Sequence, residues 1–265
     1  MMKRILAVGG DRRQSLLAGL LRDLGAVDTL AVPDRPDTAA PGMYDLLILP
    51  TPTLDARGYI RAAAPLAPAA LLPYCGASTR VFGGALNGGA GLPAPLGAAC
   101  DLLADPTVKA LNGRLTAEAF FALPRAGKGL TGSRCLVLGW GCIGRPLSLL
   151  LRSFGASVTV AARRQTVRAE AEGLGLRALP FSDVHGAWDF VCSTVPACTL
   201  TDAQLAEMGP DCLWFELASA PGGLPARVPD GLTLVPAGGL PGKYLPRAAA
   251  EVLRGGIARA LEGAL

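Results

Sequence analysis

Short apolar runs alternate with helix-length amphipathic stretches and with glycine or proline turns along almost the whole chain. In the first half, segments 3–8, 28–32, 44–49, 69–74 and 98–103 read as strands, and 16–24 as a helix closing at Gly25. Within the runs, apolar residues occupy successive positions, as in strands buried on both faces of a parallel sheet. The second half repeats the rhythm, with strands expected at 133–138, 157–161, 189–193, 212–217 and 232–235 and a helix at 146–154. Between the halves, Asn112-Gly113 marks a boundary, and a connector helix is expected over 116–123. The last segment, 246–261, places Pro246 in its first turn and an apolar stripe along one side, and is expected to return to the first domain. Strands alternating with helices predict an α/β protein of two Rossmann-like, doubly wound parallel-sheet domains. Residues 1–113 with 244–265 would form one domain, and residues 114–243 the other.

One turn stands out from this pattern. Gly139-Trp140-Gly141-Cys142-Ile143-Gly144 reads G-x-G-x-x-G, between an apolar strand and an apolar helix, with a second strand after the helix. Strand, glycine turn, helix and strand together make a dinucleotide fingerprint. Gly139 allows the tight turn, Gly141 lets backbone approach a pyrophosphate, and Gly144 lets helix and strand pack closely. The helix start then offers N–H groups and a partial positive charge to phosphate. Cys142 and Ile143 join the expected cofactor contacts, as do Thr194-Val195-Pro196 at the end of the next strand and Ala218 further on. Gly9-Gly10 follows the first strand, but no third glycine stands at the required spacing.

The second strand of this unit ends Ala161-Ala162-Arg163-Arg164. NAD-preferring sites place Asp or Glu there to bind the ribose hydroxyls. Two guanidiniums suit a 2′-phosphate instead, so NADP is the expected cofactor.

Composition bounds the rest. The 265 residues are 51% hydrophobic and 17% charged, with 34 Gly and 22 Pro. No apolar run reaches the roughly 18 residues of a spanning helix. Gly9-Gly10-Asp11 cuts short the apolar run after Lys3-Arg4, so no signal peptide or membrane span is expected and a soluble, cytoplasmic protein is. The net charge of +4 is scattered, which fits small anions better than a nucleic-acid groove. Seven Cys without C-x-x-C spacing read as reduced apolar residues, with no metal site.

Alcohol oxidation needs a base, most often His. His185 is the single histidine and lies in a surface-like turn, Ser182-Asp183-Val184-His185-Gly186. A hydride leaving an activated C–H, driven by ring aromatisation, asks only for positioning and a modest base such as Glu118 or water.

Several motifs occur together in order: Gly9-Gly10-Asp11-Arg12-Arg13-Gln14, Asn112 with Thr116 and Glu118, the glycine loop, Leu217-Ala218-Ser219 with Pro221-Gly222-Gly223, and Gly239-Leu240-Pro241-Gly242-Lys243. With them the chain resembles, essentially end to end, the dipicolinate synthase A subunits of spore-forming bacteria. The resemblance implies a two-domain fold like that of the formate/glycerate dehydrogenases. It also implies oxidation of dihydrodipicolinate to dipicolinate with NADP and a flavoprotein-like B subunit, in the mother-cell cytoplasm during sporulation. A homodimer is left open.

Carried over by position, Gly139, Gly141, Gly144 and Arg163 would hold the cofactor, with Asn112, Thr116, Glu118 and Lys243 as catalytic candidates. The segment 221–243 would face the ligand. Pro246-Arg247-Ala248 departs from a Pro-Lys-Thr pattern, keeping the charge and losing a hydroxyl. Arg13, Arg80, Gly242, Lys243 and Arg247 are candidate contacts for a small dicarboxylate substrate. Two other readings stand beside this one: a nucleotide-binding partner or sensing subunit with the chemistry on the B chain, and an independent NADP-dependent 2-hydroxy-acid dehydrogenase.

Overall fold

The computed structural model describes residues 2–86, 91–219, 222–224 and 231–263. The chain divides into two compact units, Met1–Asn112 with Pro241–Leu265, and Gly113–Leu240.

The first unit carries β1 (Lys3–Val8), α1 (Arg12–Leu20), β2 (Gly25–Leu30), β3 (Leu46–Ile48), β4 (Arg80–Gly83) and β5 (Cys100–Asp101). Its sheet is parallel in the order β2-β1-β3-β4-β5. The order reverses between β1 and β3, the topological switch point of such sheets. Successive residues serve opposite faces, which explains the unbroken apolar runs. Ile5, Leu46, Ile48 and Phe82 pack with Leu17 and Leu21, whereas Leu6, Val8, Leu47 and Leu49 pack with Tyr44, Ile60, Leu71 and Leu96.

Helix α2 (Pro106–Ala119) runs through Asn112-Gly113, where the two units divide. It starts well before the connector expected over 116–123. The second unit then holds β6 (Arg134–Leu138), α3 (Gly144–Ser153), β7 (Ser157–Ala161), α4 (Gln165–Gly173), β8 (Arg177–Leu179), β9 (Phe190–Ser193), α5 (Asp202–Ala206), β10 (Leu213–Glu216) and β11 (Thr233–Pro236). Its parallel sheet runs β11-β10-β9-β6-β7-β8, a doubly wound dinucleotide order with its switch point between β6 and β9. Trp214 and Trp188 fill one side with Leu136, Val191 and Met208. Elsewhere in this unit Phe120 meets Phe215 edge-on at 4.9 Å. Helices α6 (Leu240–Tyr244) and α7 (Pro246–Leu261) follow. Ala250, Leu253, Ile257 and Ala260 of α7 complete the first unit's core beside Leu17 and Leu21, as the expected return of the last helix requires.

Two expected strands are corrected. Segment 69–74 is a 3-10 helix, Pro68–Tyr74, because Pro68 begins it and Pro73 lies inside it, and prolines cannot serve a central ladder. Segment 98–103 breaks into a 3-10 turn, the two-residue β5 and a second 3-10 turn, Leu102–Ala104. Strand β4 was missed because it opens on Arg80 and ends at Gly83-Gly84, which reads as loop.

Asp105 accepts from the Thr107 backbone N–H at 2.7 Å at the start of α2 and from Arg259 of α7, and its side chain is almost fully buried. The Arg259 hydrogen bond, first, and the N–H groups of Thr107 and Val108 hold this carboxyl below the usual 3.8, against the opposing effect of burial. A carboxyl depressed in the native state adds stability that is complete above its unfolded value and lost as pH falls through its native one. The thermal midpoint should therefore fall as the pH is lowered through and below the ordinary aspartate value. Arg259→Met should lower the midpoint at neutral pH and flatten that acid-side drop, which a melting series across pH would show.

Candidate functional site

The glycine loop sits at the carboxyl end of β6, at the switch point. Gly139 takes φ of +101°, and a Cβ there would lie 2.7 Å from Thr194 Oγ1 and 2.8 Å from Val195 Cγ2. Thr194 in turn donates its hydroxyl to the Leu138 carbonyl at 2.7 Å. A Cβ on Gly144 would lie 2.2 Å from the Gly139 carbonyl oxygen, so only glycine lets α3 start against the strand end. Gly141 differs from both: nothing lies within 4 Å of the Cβ it lacks. Two glycines serve close packing and the third leaves an open backbone surface. No side chain caps α3, whose first residue is Gly144. Its start is thus available to an anion. Ile143 is the N-cap, and the Cys142 carbonyl is approached so closely by α2 that a Cβ on Gly113 would come within 2.4 Å of it.

Beside the loop lies a cavity of about 500 Å³ lined by Gly139, Trp140, Gly141, Arg163, Arg164, Val195 and neighbouring apolar residues. No Asp or Glu lines it among the described residues. Arg163 and Arg164 are exposed, and neither guanidinium has a hydrogen-bond or ion-pair partner among the described residues. The pattern did not single out Val167, Phe181 and Thr199, which complete the lining from α4, the start of a 3-10 turn and the segment after β9. Pro196 is exposed, while Val195 reaches the cavity. Ala218 lines a separate cavity of about 220 Å³ with Glu216 and Gly222. Glu216 organises that stretch, accepting from Trp214 Nε1 at 3.1 Å, Ala218 N at 3.2 Å and Gly223 N at 2.9 Å. Pro221 lies outside the described residues.

On α2, Glu118 does not share a face with Asn112 and Thr116. Asn112 and Thr116 are a turn apart on α2, in its middle and its last turn and not at its start. Glu118 is two residues beyond Thr116, roughly 200° round a helix. Thr116 is buried, whereas Glu118 is half exposed and pairs with Arg114 at 3.3 Å. His185 is exposed, 3.5 Å from Glu207, as a surface residue. Burial raises the thiols of Cys135 to about 11 and Cys212 to about 12 and pushes that of Cys192 up as well, so none of the three is a nucleophile.

In the first unit, Arg13 is buried and committed. It donates to Asp11 at 2.9 and 3.3 Å and to the Thr51 carbonyl, tying the turn after β1 to the one after β3. A Cβ on Gly242 would lie 2.5 Å from Asp11 Oδ2, so this glycine packs on the pair. Arg80 begins β4, at the amino end of the sheet, and donates to the Ala260 carbonyl at 2.7 Å. Both guanidiniums are thus engaged by groups of the first unit itself. Arg247 pairs with Glu251 at 3.1 Å and, with Arg12 and Tyr244, lines a cavity of about 540 Å³. Lys243 lies over the Tyr244 ring at 5.1 Å. A second cavity of this unit, about 470 Å³, opens at the β1/β3 switch point between Gly10-Asp11, Pro50-Thr51 and residues 60–65, with Arg61 on its wall.

Residues 108–212 match the family D-isomer specific 2-hydroxyacid dehydrogenase, NAD binding domain. That stretch is a nicotinamide-nucleotide-binding domain of the NAD(P)-dependent oxidoreductase kind. The chain is similar to the A subunit of dipicolinate synthase from Bacillus subtilis (strain 168), 30% identical over 141 residues, a match that spans 49% of this chain and only 46% of that relative. The crystal structure of the dipicolinate synthase A chain from Bacillus subtilis superposes with a TM-score of 0.82 at 23% identity, covering 100% of this chain and 97% of that one. The corresponding dipicolinate synthase protein from Bacillus halodurans gives 0.83 at 21%, covering 98% and 97%. A transhydrogenase from Sinorhizobium meliloti gives 0.65 at 14%, covering 99% and 94%. These likenesses carry the two-unit α/β fold. No helix among the described residues is long and apolar enough to cross a membrane.

The loop geometry separates two substitutions. Gly141→Ala has room for its methyl and should leave the thermal midpoint in place while weakening dinucleotide binding at least about tenfold, because the methyl stands where pyrophosphate must approach. Gly144→Ala should cost about 1–3 kcal/mol of stability through the clash with the Gly139 carbonyl. Melting curves and nucleotide titrations on both variants check this.

Proposed function

We propose that the chain is an NADP-dependent oxidoreductase subunit that converts dihydrodipicolinate to dipicolinate, acting with a flavoprotein-like B subunit in the mother-cell cytoplasm of a sporulating bacterium. The observation that carries the cofactor choice is the acid-free cavity at the end of β7, with two arginines on its wall that no described residue pairs. Arg163 and Arg164 would meet a 2′-phosphate through charge-assisted hydrogen bonds, where an acid would be needed to hold a free ribose hydroxyl. Gly141 and the uncapped start of α3 would take the pyrophosphate, and Gly139 with Val195 would wall the adenosine side.

The substrate assignment is supported by the likeness to proteins named as dipicolinate synthase A chains, and the same name supports a partner subunit. A bound nicotinamide would supply the hydride acceptor for the ring, whose second hydrogen would be lost as a proton to water or a base as the ring becomes aromatic. Little else is asked of the side chains, which accords with an exposed His185 and an ion-paired Glu118. The first unit would hold the dicarboxylate, with Arg13, Arg80, Gly242, Lys243 and Arg247 as candidate contacts.

A second reading, a nucleotide-binding or sensing subunit whose chemistry lies on the B chain, is favoured by one observation: Glu118 lies on the exposed side of α2, paired with Arg114, while Thr116 faces inward.

Mixing the chain with its B subunit, NADP and dihydrodipicolinate should produce dipicolinate and NADPH in equal amounts, followed by ultraviolet absorbance. NAD in place of NADP should lower kcat/KM about tenfold or more. A rate no greater than the spontaneous oxidation would end the proposal. Unchanged turnover in both Glu118→Gln and Lys243→Ala would move the chemistry to the B chain.

A further inference from the structure

The expected arginine pair is joined by a third guanidinium with a different task. Arg168 lies in the first turns of α4, five residues past Arg163. Its Nη1 donates to the Ala162 carbonyl at 2.9 Å and to the Arg163 carbonyl at 2.7 Å. A helical side chain leans toward the helix N-terminus, so this position can reach back over the turn that precedes the helix. No side chain otherwise caps α4, whose N-cap is Arg164 itself.

The turn is fixed from several directions. The Ala162 N–H donates to the Leu179 carbonyl at the end of β8 at 3.0 Å, and its carbonyl is held by Arg168. The Arg163 carbonyl is held by the same nitrogen. The Arg168 N–H closes the helix onto the Arg164 carbonyl at 3.2 Å. With these peptide planes set, the Cα–Cβ directions of Arg163 and Arg164 are set too, and both residues line the nucleotide cavity. The nearest acid on α4 with an ion pair, Glu170, is taken by Arg145 at 3.1 Å and does not draw the pair away.

We infer that Arg168 is a positioning residue for cofactor choice: it holds the backbone turn that aims Arg163 and Arg164 at the 2′-phosphate, without binding the phosphate itself. This rests on the NADP reading above. A floppy turn would still carry two positive charges, but each guanidinium would have to be ordered on binding, and that ordering weakens the complex. The effect falls on the phosphorylated cofactor, because NAD makes no contact that needs the pair.

The test is a set of equilibrium titrations of the full chain with NADP and with NAD, at two salt concentrations, beside melting curves. Arg168→Met should weaken NADP about tenfold, leave NAD within about twofold, and keep the wild-type salt dependence of NADP binding, since both phosphate-facing arginines remain. A merely structural role would weaken both cofactors alike, and that result overturns the inference. So does an unchanged preference for NADP. A reduced salt dependence would make Arg168 a direct phosphate ligand and overturn the positioning role. The double variant Arg163→Ala/Arg164→Ala is the control. If the wild type binds both cofactors equally, or the double variant keeps its preference, the NADP reading itself fails. If the double variant loses the preference and Arg168→Met keeps it, only the positioning role fails.

Discussion

The contact on which the nucleotide unit depends is between backbone atoms. The start of α3 meets the end of β6 so closely that the Gly139 carbonyl fills the place where a side chain on Gly144 would begin. That approach brings the helix start, with its polarised N–H groups, to the switch point of the sheet. Thr194 fastens the same corner from the neighbouring strand through the Leu138 carbonyl. The surface left at Gly141 is peptide and little else, which suits a ligand recognised by charge and shape more than by particular side chains.

Much of this was legible in the amino-acid order, for a physical reason. Buried parallel strands announce themselves by runs of apolar residues, as β6, β9 and β10 do, while β7 is marked by its β-branched Val-Thr-Val. The glycine spacing encodes a steric demand that no other residue meets. Strand β4 was illegible because a charged residue opens it and two glycines close it. The stretch 69–74 misled because Leu71 and its neighbours are as apolar as a strand, and the prolines that forbid a ladder stand at its edges. Helix α4 escaped notice because its sequence is mostly polar and only Ala171 of it is fully buried.

The arginines show where pattern ends and geometry begins. As letters, Arg13, Arg80, Arg163 and Arg168 offer the same charge and the same five donors. In the fold, Arg13 closes two loops, Arg80 satisfies a helix-end carbonyl, Arg168 holds a turn, and Arg163 is left unengaged by any described residue. Which guanidinium stays available is decided by carbonyls brought near from elsewhere in the chain. Spacing along the sequence does not report that. The same holds for the α2 candidates, where helical phase places Thr116 inward and Glu118 outward.

The sheet of the second unit also sorts the thiols. Cys135, Cys192 and Cys212 are sealed among apolar neighbours that keep them protonated at neutral pH, while Cys198 is exposed on the wall of the cavity beside the glycine loop. The chain therefore carries a natural attachment point: a thiol-reactive dye would be directed to the rim of the cavity, where its emission could report occupancy without any engineered residue.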